Sequence, residues 1–191
     1  MIIVGVTGKA GAGKDTVGDY LRIAHGFDSD SLAGPLKKAV QAIFCIPDEI
    51  MYDRDRREEP LDNWPNWTVR TLLQFVGTEL FRNQVDPDVW VKSLSIRVQQ
   101  RSADADNNDR YVITDVRFPN EIDSLGKLVD GARAYSVKVV RPEHIGTDVG
   151  LANHTSESFD LKADFVLEND GTIEDLYKKV DHIMDIIDAD S

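Results

Sequence analysis

The 191-residue sequence contains a single cysteine, Cys45, and no long apolar run. One cysteine excludes an intramolecular disulfide and a cysteine-rich metal site. Because Cys45 lies in the apolar run AIFCI, we expect it to pack in the interior. No stretch approaches the roughly 18 apolar residues of a membrane-spanning helix, and the first residues lack a signal-peptide pattern. The sequence therefore favours a soluble, cytoplasmic protein without a membrane partner.

Basic residues are also scarce. Lys and Arg number 22 against 34 Asp and Glu, which gives a formal net charge of −12 at pH 7. Direct nucleic-acid binding requires a basic surface, so this charge argues against it. The hydrophobic content of 41% is sufficient for a substantial core, and the length fits one domain.

Short β-branched runs alternate with amphipathic patterns along the chain. Apolar periodicity predicts helices after the glycine-rich segment 8–13 and near Pro35, Thr68, Pro87, Pro119 and Thr172. Strands are predicted at 2–7, 27–33, 111–115, 135–140 and 164–167. Ile43 and Leu80 are expected on buried helix faces, whereas the charged, proline-bearing stretch 48–67 is expected to be a loop region. This alternation predicts an α/β fold with a parallel sheet covered on both faces.

The pattern Gly8-xxxx-Gly13-Lys14, between a strand and a helix, is typical of a phosphate-binding loop (P-loop). Glycines allow successive backbone N–H groups to surround an anion, and the helix N-terminus adds partial positive charge. A glycine-rich turn without this function is the alternative. The residues expected to bind ATP here are Gly8, Ala10, Gly11, Ala12, Gly13, Lys14, Asp15 and Thr16.

Three residues are candidates for holding Mg²⁺. Thr16 lies in the first helical turn and could reach the ion directly or through water. Asp15 could help to hold the metal or could simply complement the helix dipole, and the sequence leaves both open. Asp115 ends the strand YVIT at the edge of the sheet where ligands of such folds bind. Arg117 follows two residues later and could stabilise a transferring phosphoryl group or hold its acceptor, unless 115–117 is only a solvated turn.

Several segments together resemble the deoxynucleoside monophosphate kinases of tailed bacteriophages, in order and over most of the chain. They are GKAGAGKDT (8–16), LAGPLK (32–37), VRTLLQFVGTELFRN (69–83), DVWVK (88–92), ITDVRFPNE (113–121), VVRP (139–142), HTSE (154–157) and ENDGT (168–172). The first two segments are also similar to animal-type phosphomevalonate kinases. The helix with Gly77-Thr78-Glu79 and the pair Trp90-Val91 are more particular to the phage enzymes.

The resemblance implies one nucleoside-monophosphate-kinase-like P-loop domain over 1–191, a three-layer fold with a parallel five-stranded sheet. Its core is expected at 1–33, 110–140 and 163–191, a helical substrate-binding insertion at about 34–100, and a lid at about 141–162. The implied reaction transfers the γ-phosphoryl group of ATP to a (d)NMP with Mg²⁺. A kinase for another phosphorylated acceptor, such as phosphomevalonate, and a regulatory ATPase are the alternatives, and a homodimer is compatible with the sequence.

On this hypothesis the cleft residues have separate roles. Lys14, Asp115, Arg117 and Arg141 are assigned to catalysis, with Arg141 at the start of the lid. The acceptor is expected to contact Lys37, Arg70, Gln74, Trp90, Arg117, His154 and Glu157. Asn169 and Gly171 are placed at the adenine of ATP by the resemblance alone.

Overall fold

The structure is a computed structural model that describes residues 1–53, 55–103, 108–142 and 161–190. Strands and helices alternate in it as the sequence predicts. The strands are β1 (Ile2–Thr7), β2 (Asp28–Asp30), β3 (Pro60–Leu61), β4 (Trp64–Thr68), β5 (Arg110–Val116), β6 (Arg133–Val140) and β7 (Phe165–Glu168). The helices are α1 (Lys14–Ala24), α2 (Gly34–Phe44), α3 (Asp48–Met51), α4 (Val69–Gln74), α5 (Val89–Ser102), α6 (Pro119–Ser124) and α7 (Ile173–Ala189). A π-helix, Phe75–Val85, continues α4, and 3-10 turns occur at Arg56–Glu58 and Leu125–Lys127.

The main sheet has five parallel strands in the order β2-β5-β1-β6-β7. All six residues of the central strand β1 are buried, as expected for a strand covered on both faces. Helices α1 and α7 cover one face through residues such as Val17 and Leu176. Helix α5 and the turn after α6 cover the other through Leu94 and Leu125. The predicted α/β fold with its three layers is confirmed.

A third apolar cluster lies among the helical segments between β2 and β5. It joins Leu36 and Val40 of α2 to Met51, Leu61 and Leu72. The prediction of a loop region at 48–67 is therefore wrong, because this stretch forms α3, a 3-10 turn and the antiparallel β3–β4 hairpin. Its few buried apolar residues are separated by charged ones, so they produce neither helical nor strand periodicity.

Three predicted interior residues are exposed instead. Helix α2 ends at Phe44, and Cys45 follows with a positive φ of 51° and an exposed side chain. Ile43 is 67% exposed, since α2 buries only Leu36 and Val40. Leu80 is 43% exposed because the wider π winding rotates it away from the face that begins at Val76.

No helix within the described ranges combines the length and apolarity required to cross a membrane.

Candidate active site

A large cleft lies at the carboxyl edge of the sheet, where ligands of open parallel α/β folds bind. Its volume is about 790 Å³, within the usual range for small-molecule sites. The walls are the loop between β1 and α1, the turn between β2 and α2, the end of β5, and α4 with the π-helix. The cleft thus brings together segments far apart in sequence.

The glycines of the predicted P-loop have the conformations that such a loop needs. Gly8, Gly11 and Gly13 all have positive φ, at 143°, 76° and 107°. A Cβ atom on Gly8 would lie 2.3 Å from the carbonyl oxygen of Val139, so the loop passes directly against β6. Gly13 is the N-cap of α1 and has no side chain to bond the first N–H groups of the helix. The loop and the helix terminus therefore form a backbone site suited to an anion.

Most residues of the P-loop and of the first turn of α1 line the cleft. Ala10, Gly11, Gly13, Lys14, Asp15 and Thr16 all line it. The Lys14 ammonium donates a hydrogen bond of 2.8 Å to the carbonyl oxygen of Lys9 within the loop. Ala12 is buried beneath the surface, and its carbonyl oxygen accepts a 2.8 Å bond from the Asn169 amide. Asn169 lines the cleft and fastens the loop to the end of β7, whereas Gly171 is not among the lining residues.

Asp115, predicted at the end of β5, supports the turn between β2 and α2. Its two carboxylate oxygens accept hydrogen bonds of 2.7 and 2.8 Å from the backbone N–H groups of Leu32 and Ala33. The side chain is half-buried and lines the cleft. Asp115 therefore has a structural task in addition to the metal-binding role that the sequence suggests.

Arg117 is exposed and lines the cleft, and its backbone N–H is bonded to the side chain of Glu121. The Glu121 carboxylate accepts bonds from the N–H groups of Arg117, at 2.7 Å, and Phe118, at 3.1 Å. Its other oxygen lies 2.5 Å from a terminal nitrogen of Arg82, whose guanidinium stacks 3.8 Å from the Phe118 ring centre. Burial raises the pKa of Glu121, while the Arg117 N–H and the Arg82 charge oppose that rise. Sequence periodicity gave no sign of this network, because the π winding places Arg82 inward.

The predicted acceptor residues Lys37, Arg70, Gln74 and Trp90 all line the same cleft as the P-loop. The Arg70 Nε atom is ion-paired with the carboxylate of Glu58. The Gln74 Oε1 atom is buried and has no hydrogen-bond partner among the described residues. The Trp90 indole N–H donates a 3.1 Å bond to the carbonyl oxygen of Gly77, so the ring is also part of the helical packing.

Arg57 is another cleft residue that the sequence did not predict. Arg57 lies on the 3-10 turn before the β3–β4 hairpin, and its side chain is half-buried. Burial lowers the pKa of its guanidinium, and the neighbouring Arg70 and Arg117 lower it further, whereas Glu58 and Asp15 oppose them. In sequence this arginine belongs to the charged run DRDRREEP, which gives no sign of which charge turns inward.

The residues predicted for the lid are only partly described. Arg141 follows β6, is exposed and lines the cleft. His154 and Glu157 lie outside the described residues, as do positions 143–160 of the predicted lid.

The donors expected for Mg²⁺ lie around the same cleft. Asp15, Thr16 and Asp115 all line it. Within the described part of the chain, no group of three or more His, Cys, Asp or Glu side chains could hold a metal by itself. A hydroxyl with one or two carboxylates fits a Mg²⁺ ion that takes its remaining ligands from water and nucleotide phosphates.

The sequence comparison decides the family. Residues 50–180 match the family described as deoxynucleotide monophosphate kinase. The chain belongs to this family. A protein of Acanthamoeba polyphaga mimivirus, whose name assigns it provisionally to the same family, is 35% identical over an alignment of 199 positions that covers 94% of each chain. The predicted resemblance to the phage kinases is thereby confirmed.

Phage members of the deoxynucleotide monophosphate kinase family are longer. The deoxynucleotide monophosphate kinase of Escherichia phage RB69 is 29% identical over 119 residues, which cover 62% of this chain and 45% of the phage protein. This chain thus aligns with about half of that relative. Among solved structures, the shikimate kinase of Aquifex aeolicus covers 96% of both chains with a TM-score of 0.53 at 11% identity. That similarity supports the kinase fold and carries no further information on the substrate.

Proposed function

We propose that this family member transfers the γ-phosphoryl group of ATP to the phosphate of a deoxynucleoside monophosphate, giving a deoxynucleoside diphosphate and ADP. The observation that carries the proposal is that the P-loop and the side chains of Arg70 and Lys37 line the same cleft. Its volume of about 790 Å³ suits small ligands rather than a polymer. The overall charge of −12 agrees with small anionic substrates bound in a locally basic pocket and not with direct nucleic-acid binding.

The chemistry requires mainly positive charge and alignment. A phosphate monoester has a second pKa of about 6, so the acceptor is largely ionised at neutral pH and needs no strong base. Phosphoryl transfer is accelerated chiefly by positioning and by stabilising the charge of the transition state. Lys14, Arg70 and Arg117, which line the same cleft, are suited to both tasks.

On the ATP side, the N–H groups of residues 8–16 and the Lys14 ammonium would bind the β- and γ-phosphates. Lys14 would exchange its present bond to the Lys9 carbonyl for a phosphate oxygen. The Asn169 side chain already supports the loop through its bond to the Ala12 carbonyl oxygen. The segment from Asn169 to Gly171 would approach the adenine.

Mg²⁺, when bound, would neutralise part of the triphosphate charge. Thr16 would hold it, with Asp15 or Asp115 acting through water. The Asp115 carboxylate has lone pairs beyond the two used by Leu32 and Ala33, so the two roles are compatible.

On the acceptor side, Arg70 and Lys37 would bind the phosphate, and Arg117 would reach the transferring group. The buried Gln74 oxygen has no hydrogen-bond partner within the described ranges, and an N–H group of the base would supply one. Trp90, held by Gly77, would provide an aromatic wall for the base.

The division into parts is also a proposal. Residues 34–100 would form the acceptor-binding insertion on a core of 1–33, 110–140 and 163–191. Residues 141–162, with Arg141, His154 and Glu157, would form a lid that excludes water during transfer.

An ADP-release assay tests this function directly. The full chain is supplied with ATP, Mg²⁺ and each of dAMP, dCMP, dGMP and dTMP in turn, with a no-acceptor reaction and a phosphomevalonate reaction beside them. We expect ADP release to depend on at least one deoxynucleotide. Release that is independent of every acceptor would indicate an ATPase, and release with phosphomevalonate alone would indicate the other kinase class.

A further inference from the structure

Several arginines in the described part of the chain are paired with a carboxylate. Arg82 pairs with Glu121 and Arg110 with Asp188, while Arg97 and Arg101 share Asp30. Such pairing is usual, because a desolvated guanidinium needs a hydrogen-bonded counter-charge. An arginine that departs from this pattern inside a cleft is therefore informative.

Arg57 departs from it. Its side chain is half-buried against the cleft, yet no carboxylate in the described ranges forms an ion pair with its guanidinium. The adjacent Glu58 pairs with Arg70 instead. Since an arginine side chain stays protonated at any physiological pH, Arg57 cannot relieve this situation by losing its charge.

Two further arginines add to the positive charge of the cleft around Arg57. The charges of Arg70 on α4 and Arg117 after β5 both lower the pKa of the Arg57 guanidinium. Asp15, at the start of α1, acts in the opposite direction. Asp15, Arg70 and Arg117 all line the same cleft as Arg57. The Arg57 guanidinium therefore shares the cleft with charged groups of the P-loop helix, the sheet edge and the acceptor side.

A phosphate group is the ligand that fits such a position. Two of its anionic oxygens can accept a pair of hydrogen bonds from the planar guanidinium. A phosphate bridging Arg57 and Arg70 would also remove the repulsion between them.

We propose that Arg57 is a phosphate-binding residue that contacts both the acceptor phosphate and the γ-phosphoryl group during transfer. This inference rests on the proposed function and adds one residue to its machinery. Arg57 stabilises the charge that accumulates between the two phosphates, and Arg70 holds the acceptor beside it with its orientation set by Glu58.

The next residue supplies a matched control. Arg56 belongs to the same 3-10 turn, is exposed and is not among the residues that line the cleft. We expect Arg57→Ala to lower kcat/KM for the deoxynucleotide by about 100-fold or more, as for loss of one preorganised charge-stabilising group. Arg56→Ala should stay within about twofold of the unaltered chain. Arg57→Lys should fall between them, because it keeps the charge and loses the fork of donors.

A binding experiment separates this inference from the proposed function. Calorimetric titration with inorganic pyrophosphate requires no turnover. We expect the unaltered chain and Arg56→Ala to bind it similarly and Arg57→Ala to bind it at least about tenfold more weakly. Arg57→Gln, which keeps the first three carbon positions of the side chain and removes the charge, replaces the alanine variant if that variant fails to fold.

The outcomes are distinct. Failure of the deoxynucleotide assay with the unaltered chain would overturn the proposed function, while a selective pyrophosphate defect in the Arg57 variants would still support an anion site there. Equal pyrophosphate binding by the Arg57 and Arg56 variants, or no binding by the unaltered chain, would overturn the inference.

Discussion

Arg82 and Glu121 form an ion pair in which both side chains are almost completely buried, with 9% and 4% of their surfaces exposed. The pair connects the π-helix Phe75–Val85 to the segment that carries Arg117. It therefore joins the acceptor wall of the cleft to the carboxyl edge of the sheet.

Loss of Arg82 should destabilise the fold strongly. Arg82→Met leaves the Glu121 charge buried without its partner, and we expect a loss of about 3–5 kcal/mol in the free energy of unfolding. The double variant Arg82→Met/Glu121→Gln should recover part of this loss, because glutamine is neutral and still accepts the N–H of Arg117. Urea denaturation measures both. A single variant as stable as the unaltered chain would contradict the structural importance of the pair.

Substitution of Gly8 should be poorly tolerated for two independent reasons. Gly8 has a φ of 143°, and its added Cβ atom would lie 2.3 Å from the Val139 carbonyl oxygen. We expect Gly8→Ala to lose about 2 kcal/mol or more in thermal or urea unfolding. Gly126→Ala is the control, because its new atom would come no closer than 3.7 Å to Ala134. Similar losses in both variants would show that the close approach to β6 is unimportant.

Asp115→Asn should reveal the two roles of this side chain separately. Asparagine keeps one acceptor oxygen, so either the Leu32 or the Ala33 N–H loses its partner at a cost of about 1–3 kcal/mol. This loss should be present in Mg²⁺-free buffer. If Asp115 also binds hydrated Mg²⁺, the Mg²⁺ concentration required for half-maximal activity should rise. Unchanged stability without Mg²⁺ would contradict the supporting role.

The hydrogen bonds at the start of α7 should make the free energy of unfolding depend on pH in the acid range. Thr172 donates hydrogen bonds to the Asp175 carboxylate from both its hydroxyl and its backbone N–H, and these bonds lower the pKa of Asp175. Below the ordinary pKa of about 3.9, the unfolded chain therefore binds this proton more readily than the folded chain. The stabilisation is complete above that pH and is lost as the pH falls through the lower, folded value.

Denaturation of Asp175→Asn between pH 2 and pH 7 measures this effect. The stability difference from the unaltered chain should be full near neutrality and should diminish toward pH 2. Thr172→Ala should weaken the pH dependence, since it removes the hydroxyl that lowers the pKa most. A difference that is constant over the whole range would contradict this origin.

Lys14→Ala should abolish phosphoryl transfer and leave the fold intact. The ammonium lies at the surface of the loop and bonds to the Lys9 carbonyl, so the core does not depend on it. We expect kcat to fall by about 100-fold or more with little change in the unfolding temperature. Lys178→Ala, which removes an exposed lysine from α7, is the control for charge alone. Unchanged turnover in Lys14→Ala would remove this residue from the mechanism.

Local patterns in the sequence were sufficient for β1, for the P-loop and for the start of α7. The β-branched run before Gly8, the helical spacing after Gly13 and the Thr172 cap depend on neighbours in the chain, and each has the predicted form. The short strand β2 and the β3–β4 hairpin depend on distant partners, so their extents could not be predicted in the same way. Only the fold determines which charge of DRDRREEP turns inward.

The π-helix is a clearer case of this limit. The spacing after Thr68 was consistent with a regular α-helix, and it predicts a buried Leu80. The change of winding at Phe75 alters which residues share a face, so Leu80 is exposed and Arg82 is buried. The apolar spacing of this segment does not distinguish a π-helix from an α-helix, so the sequence pattern could not predict the change.

Cys45, wrongly expected in the interior, offers a practical consequence. It is the chain's single cysteine, it is exposed, and it lies immediately after α2, which begins at the cleft turn held by Asp115. A thiol-reactive fluorophore or spin label would therefore attach at one defined position on the outer end of that helix. Labelled protein could then report in real time whether α2 shifts when nucleotides enter, without the removal of any other thiol.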